Sequence, residues 1–310
     1  MTTLPAILAA PLAITWGPNP EIFSIGPIHI RYYSILFVSG FIIGYYIFMR
    51  FFKREGLPVE ILDTLLYTLL GSAVVGARLG HCLFYEPAYY LSKPWEIFMI
   101  WEGGLASHGG AVAILIALWY YARKYGRRYD FDYMWLLDRV GVATPLAGAL
   151  IRLGNLMNSE IYGNPTDLPW GFIFTIRGET LAKHPTQLYE ALAYLFTFAF
   201  LMLLYWKFLD KLKKGTMFGI FMIGIFGTRF FIEFVKEPQV AFEQGMTLNM
   251  GQWLSIPFIL LGISIIVYSI IKGSPAAIQN YADIKKAKTK SASDNIKSEA
   301  DKIKSGKSYK

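Results

Sequence analysis

Disulfide and metal chemistry have almost nothing to work with in this sequence: 310 residues contain one cysteine, Cys82, and four histidines. A single thiol excludes an internal disulfide. His81 adjoins Cys82 but cannot face it on a helix, because neighbours i and i+1 point apart; Cys82 therefore reads as a small buried hydrophobe. His29, His81, His108 and His184 fall on separate segments without helical or CxxC-type spacing, so neither a metal nor another cofactor is expected. No glycine-rich strand-to-helix loop is available to cradle a nucleotide. Charge is also scarce, at 17% of residues against 54% hydrophobic, where a soluble domain carries roughly 25% charged residues. The basic soluble domain that nucleic-acid binding requires is missing too, and Met1 to Trp16 has no positive region ahead of its apolar run. That segment is expected to lie at a membrane interface and not to be a cleaved leader.

What the chain has in abundance is apolar length, with a mean hydropathy of +0.38. Windows of the roughly 20 residues that cross a bilayer's hydrocarbon fall at about 32–51, 62–85, 104–122, 132–154, 187–208, 216–236 and 251–272. The expected fold is all-α: a polytopic membrane protein with about seven transmembrane helices and a small external cap near 155–186. The spans and cap together make one domain, 1–272. The net charge of +8 reports topology. Loops after spans one, three, five and seven hold three, four, four and ten Lys or Arg, against Arg31, Lys93, Arg177 and Lys183 in the alternate segments. The positive-inside rule then puts the N-terminus outside and the C-terminus in the cytoplasm. Residues 273–310 are Lys-rich and poor in apolar anchors, and read as a mobile cytoplasmic tail near anionic lipid.

The stretch from Thr144 to Gly163 changes character within one helical turn, from small apolar residues to Arg152, Asn155, Asn158, Ser159 and Glu160. Asn and Gly favour caps and turns over helix interiors, and an ionisable residue at the end of an apolar span points to function. The competing reading is that Arg152 snorkels to headgroups while the asparagines cap the helix. Elsewhere, Arg78 lies in the outer part of span two, Arg229 stands four residues before Glu233 on one face of span six, and Gln187, Tyr189 and Glu190 open span five. Tyr33 belongs either to an aromatic belt or to a headgroup contact. His108, flanked by Gly103-Gly104 and Gly109-Gly110, is either a packed core residue or a base that another helix or a substrate can approach closely. Three arginines with few acids near them call for an anion, and phospholipid phosphate is the one at hand, suited to the planar fork of arginine. A lysine substitution is expected to cost much less transfer activity at Arg139, nearer the cytoplasmic side of span four, than at Arg152.

In order, Gly76-Ala-Arg-Leu-Gly80, Trp101-Glu-Gly-Gly104, His108-Gly-Gly110, Arg152-Leu-Gly-Asn155-Leu-Met-Asn158-Ser-Glu160-Ile-Tyr-Gly163, His184-Pro-Thr-Gln-Leu-Tyr-Glu190 and Arg229-Phe-Phe-Ile-Glu233 resemble the motifs of the prolipoprotein diacylglyceryl transferases. The resemblance runs from about Ile28 to Pro257. It departs from the usual signature at Ile151 and Leu156, both apolar changes. It implies transfer of the diacylglyceryl group of phosphatidylglycerol to the lipobox cysteine in the signal peptide of a preprolipoprotein, at the bacterial inner membrane. His108 would be the base, Arg152 and Arg229 would hold the phosphate, and Asn155, Asn158 and Glu160 would orient the glycerol headgroup. Tyr33 would add a hydroxyl and Arg78 and Glu233 would balance charge, with Gly163, Gln187, Tyr189 and Glu190 completing the substrate site. The alternatives are a transporter or a non-catalytic binding protein for an anionic lipid or solute; no repeated halves of the kind transporters show are found.

Overall fold

The computed structural model describes residues 13–26, 28–238, 246–278, 283 and 290. After three short strands, β1 (Ile14–Trp16), β2 (Glu21–Ile25) and β3 (Ile28–Arg31), the chain runs through helices α1 (Tyr32–Glu55), α2 (Glu60–Phe84), α3 (Pro87–Ser92), α4 (Ser107–Tyr129) and α5 (Tyr133–Met157). Strand β4 (Phe172–Phe174) precedes α6 (Thr186–Phe208), α7 (Thr216–Ile232) and α8 (Met250–Lys272). Seven long helices thus occupy the seven apolar windows. Six of them are long and apolar enough to cross a membrane; α4 is diluted by Arg123, Lys124, Arg127 and Arg128 in its last two turns. The protein is a multi-pass membrane protein. Two compact units divide it, Met1–Gly44, Val140–Phe208 and Gly215–Gly273 in the first, and Tyr45–Arg139, Leu209–Lys214 and Ser274–Lys310 in the second.

In the first unit the helices meet through small residues, the usual solution where lipid removes any hydrophobic incentive to associate. A Cβ on Gly40 would stand 3.3 Å from the Cα of Ala147, and one on Gly219 would stand 2.7 Å from the carbonyl oxygen of Gly262. Beyond the end of α5, β1 pairs in parallel with β4. Leu156, Phe172 and Phe174 form an apolar core there, flanked by Trp16, Tyr162 and Leu188. This is the cap that the long connection between spans predicts. The expected interfacial segment Met1–Trp16 lies outside the described residues up to position 12, and its last three residues form β1, held in the cap by strand pairing.

In the second unit α2 and α4 cross on bare backbone: a Cβ on Gly109 would stand 2.7 Å from the Cα of Gly80 and would also strike the Gly76 carbonyl. The glycines beside His108 therefore admit α2, and the GARLG motif has a packing reason. Arg78 is buried. It donates to the carbonyls of Ile97 (2.9 Å), Gly103 (2.6 Å), Gly104 (3.4 Å) and Glu96. In place of the expected phosphate or charge-balancing role, the structure gives Arg78 four carbonyl oxygens; it clamps the 94–104 segment. That segment exposes Trp95, Phe98 and Trp101, as an element lying along a membrane surface should. Arg139 has a structural partner. It is wholly buried and grips Glu55 bidentately, Nε to Oε1 at 3.0 Å and Nη2 to Oε2 at 2.7 Å, while Nη2 also donates to the Ala276 carbonyl at 2.9 Å. Ala276 and Ile278 are buried, so the tail begins docked; most residues beyond Ile278 lie outside the described ones.

Candidate active site

The hook that ends α5 determines the site. Helical hydrogen bonding fades through Asn158 N to the Gly154 carbonyl (3.0 Å) and Glu160 N to the Asn155 carbonyl (3.1 Å). Ser159 (φ 51°) and Ile161 (φ 63°) then adopt left-handed backbone. For a β-branched residue this conformation is a true outlier, and strain of this kind clusters at functional sites. The hook swings the Glu160 carboxylate back over the helix end, where Oε1 accepts from Asn155 Nδ2 at 2.8 Å and Asn158 Nδ2 at 3.1 Å. Both asparagines thus hold Glu160 and do not cap the helix. Capping falls to other donors, Trp16 Nε1 to the Leu156 carbonyl (2.9 Å) and Arg177 to the carbonyls of Asn158 (3.2 Å) and Ser159 (3.0 Å).

Around this hook the first turn of α6 closes in. Gln187 Nε2 donates to the Glu160 carbonyl at 2.6 Å and Thr186 Oγ1 to that of Ile161 at 2.9 Å. Arg152 lies one turn back on α5, with Nε 2.7 Å from the fully buried Glu190 Oε2 and Nη1 donating to Asn155 Oδ1 at 3.3 Å. With a side chain only 16% exposed and a carboxylate partner, it is not snorkelling. Tyr33 lies on Gly154, where a Cβ would be 2.7 Å from its ring. Arg229 Nε stands 3.4 Å from Glu233 Oε1, and Glu233 Oε2 accepts from Asn249 Nδ2 at 3.0 Å. Acids therefore do accompany both arginines. Gly163 passes so close to His184 and Val235 that a Cβ would be 2.8 Å from the His184 Cβ.

Tyr189 and His108 have surroundings of their own. Tyr189 is engaged inside the cap, its hydroxyl accepting from Trp170 Nε1 at 2.9 Å and lying 3.2 Å from His184 Nδ1. Burial lowers the His184 pKa and so favours the neutral ring, whose unprotonated nitrogen can accept a hydrogen bond from that hydroxyl. His108 belongs to the second unit, on the first turn of α4, exposed and flanked by the rings of Phe84 and Tyr85 at 5.8 Å each. It is not the packed core residue that the bland reading describes.

Among the described residues, five buried polar atoms have no hydrogen-bond partner: Asn158 Oδ1, Ser159 Oγ, Gln187 Oε1, Glu190 Oε2 and Arg229 Nε. Glu190 Oε2 is still ion-paired with Arg152, and Arg229 Nε with Glu233, in orientations that make no hydrogen bond. All five lie on residues of the hook, the first turn of α6 or the arginine pair. Buried polar groups are normally satisfied, and these atoms are concentrated in one part of the first unit.

A sequence model of the family described as prolipoprotein diacylglyceryl transferase matches residues 20–268. The chain belongs to this family. Among similar proteins is the phosphatidylglycerol–prolipoprotein diacylglyceryl transferase of Tolumonas auensis, 46% identical over 254 residues, covering 82% of this chain and 96% of that protein. Proteins of the same name from Porphyromonas gingivalis (46% over 279 residues, 85% and 97%) and Chloroherpeton thalassium (44% over 257 residues, 83% and 94%) match comparably. Of the two departures from the transferase signature, Leu156 is part of the apolar core under the hook. Sequence reasoning about this transferase missed Arg177, seen only as a loop charge, and Lys236, counted inside span six. The i,i+3 spacing of Glu233 and Lys236 was the available signal for the latter.

Proposed function

We propose that this chain transfers the diacylglyceryl group of phosphatidylglycerol to the thiol of a preprolipoprotein lipobox cysteine, in the bacterial cytoplasmic membrane with its N-terminus outside. The cysteine sulfur bonds to a glycerol carbon, the bond from that carbon to the phosphate oxygen breaks, and glycerol phosphate leaves with the electron pair. The thiol proton passes to a base. Free thiols ionise near pH 8.5, so a base is useful at neutral pH, and exposed His108 suits that part. Arg152 and Arg229 hold the phosphate and stabilise the charge it gains on leaving. Asn155, Asn158 and Glu160 orient the headgroup, with Tyr33, Gly163, Gln187, Glu190 and Glu233 supporting them.

The observation that carries this reading is Arg152 at the end of a membrane helix, seated by Glu190 and Asn155 amid buried polar atoms that make no hydrogen bond. The test is purified protein with phosphatidylglycerol and a lipobox peptide. Thioether-linked diacylglyceryl peptide is the expected product, and lipid binding or movement without covalent transfer would leave a carrier or transporter instead.

A further inference from the structure

Lys236 has no part in the chemistry above, yet it is one of the most enclosed charges in the first unit, its side chain only 3% exposed. Its Nζ lies 3.1 Å from Glu233 Oε1 and 3.5 Å from Glu190 Oε1. The opposite oxygen of Glu190 meets Arg152 Nε at 2.7 Å, and Glu233 Oε1 also meets Arg229 Nε at 3.4 Å. Formal charge therefore alternates along Arg152, Glu190, Lys236, Glu233 and Arg229, over side chains from α5, α6, α7 and the turn after α7. The backbone of Lys236 is pinned as well: residues 236 and 163 form an isolated antiparallel bridge, and Asn164 N donates to the Val235 carbonyl at 2.9 Å. A side chain on Gly163 would press on His184 and Thr186 and disturb this bridge, which gives that glycine a reason.

We propose that Lys236 is a positioning residue for diacylglyceryl transfer, setting where the two phosphate-holding arginines point. The inference rests on the reading that Arg152 and Arg229 hold a phosphate. Two buried carboxylates facing one another need a cation between them, and a buried charge without compensation is costly. With Lys236 in place, each glutamate needs its arginine through one edge only, which leaves the remaining guanidinium N–H groups for an anion. Without it, Glu190 and Glu233 draw both guanidinium groups onto themselves and away from the phosphate. The loss should fall mainly on kcat, since the departing phosphate gains charge in the transition state.

The experiment compares wild type, Lys236→Arg, Lys236→Gln and the double variant Lys236→Gln/Glu233→Gln in the transfer assay, with rates normalised to folded protein by size exclusion and thermal unfolding. Lys236→Gln should lose about tenfold or more in kcat, and Lys236→Arg should stay within about threefold of wild type. The double variant removes one charge of each sign and should recover about threefold or more over Lys236→Gln, because packing losses add whereas opposite charge losses cancel. If Lys236→Gln fails to fold, wild type is the reference: Lys236→Arg within about threefold and the double variant within about tenfold support the inference, and a larger loss in either overturns it. Near wild-type kcat in folded Lys236→Gln, or a double variant no better than the single, overturns the inference while an active wild type leaves the transfer reading standing. An inactive wild type overturns both.

Discussion

At the scale of single residues, Arg152 separates charge from shape. Lysine keeps the positive charge but cannot reproduce the fork that meets Glu190 and Asn155 and that, on the proposed function, also holds a phosphate. Losing one charge-assisted hydrogen bond costs roughly 1.5–3 kcal/mol, so Arg152→Lys is expected to insert normally and to transfer lipid about 10- to 150-fold more slowly. Near-full activity in the peptide assay would reject the bidentate role. Arg152 stood out as a candidate because a permanent charge in an apolar helix has few innocent explanations. Its partner did not, since Glu190 is 38 residues away and only folding brings α5 and α6 together. The asparagines were legible as polar but not in purpose: a turn that places Ile161 at φ 63° contradicts local propensity, so no propensity argument could foresee Glu160 folding back onto them.

At the scale of elements, hydropathy located all seven long helices because a spanning helix must satisfy its backbone within itself and face lipid with apolar side chains. It said less about what fastens them. Arg139, expected to matter little for transfer, forms a fully buried pair with Glu55. Arg139→Met, which leaves the Glu55 carboxylate buried without its guanidinium, should destabilise the protein by about 3–5 kcal/mol, measurable by denaturant unfolding in detergent. A second fastening lies in the cap, where Lys183 Nζ meets Glu179 Oε1 at 2.9 Å and Glu237 Oε1 at 3.0 Å. Lys183, with Tyr162 assisting, holds the Glu179 pKa below its ordinary 4.5. Burial alone would lower Lys183, but hydrogen bonds to Glu179 and Glu237 outweigh it and raise its pKa above 10.5. A depressed carboxylate stabilises the fold above its ordinary pKa and loses that contribution as pH falls through the lower folded value. A raised lysine stabilises it below its ordinary pKa and loses that as pH rises through the higher one. Amide exchange at Thr166, Phe172 and Lys183 should therefore be slowest relative to its intrinsic rate between about pH 5 and 10, and should accelerate on the acid side first below 4.5. An unchanged protection factor at pH 3.5 would show that the triad does not hold the cap.

At the scale of the whole molecule, the uneven placing of lysine and arginine fixes the expected orientation. Reporter tags near Gly126 and at the C-terminus should both report cytoplasm, and one near Thr166 the outside; Gly126 and Thr166 on one side would refute it. The tail contributes in a way that its composition conceals. Because Arg139 Nη2 donates to the carbonyl of Ala276, and Lys214 N to that of Ser274, the first residues after α8 belong to the folded body although they read as linker. A shortened chain that stops at Lys272, the natural place to cut by hydropathy, would take the Ala276 carbonyl from a buried guanidinium. A cut or a fusion junction placed after Ile278 leaves that contact whole, so the safe boundary for trimming this protein lies six residues beyond its last membrane helix.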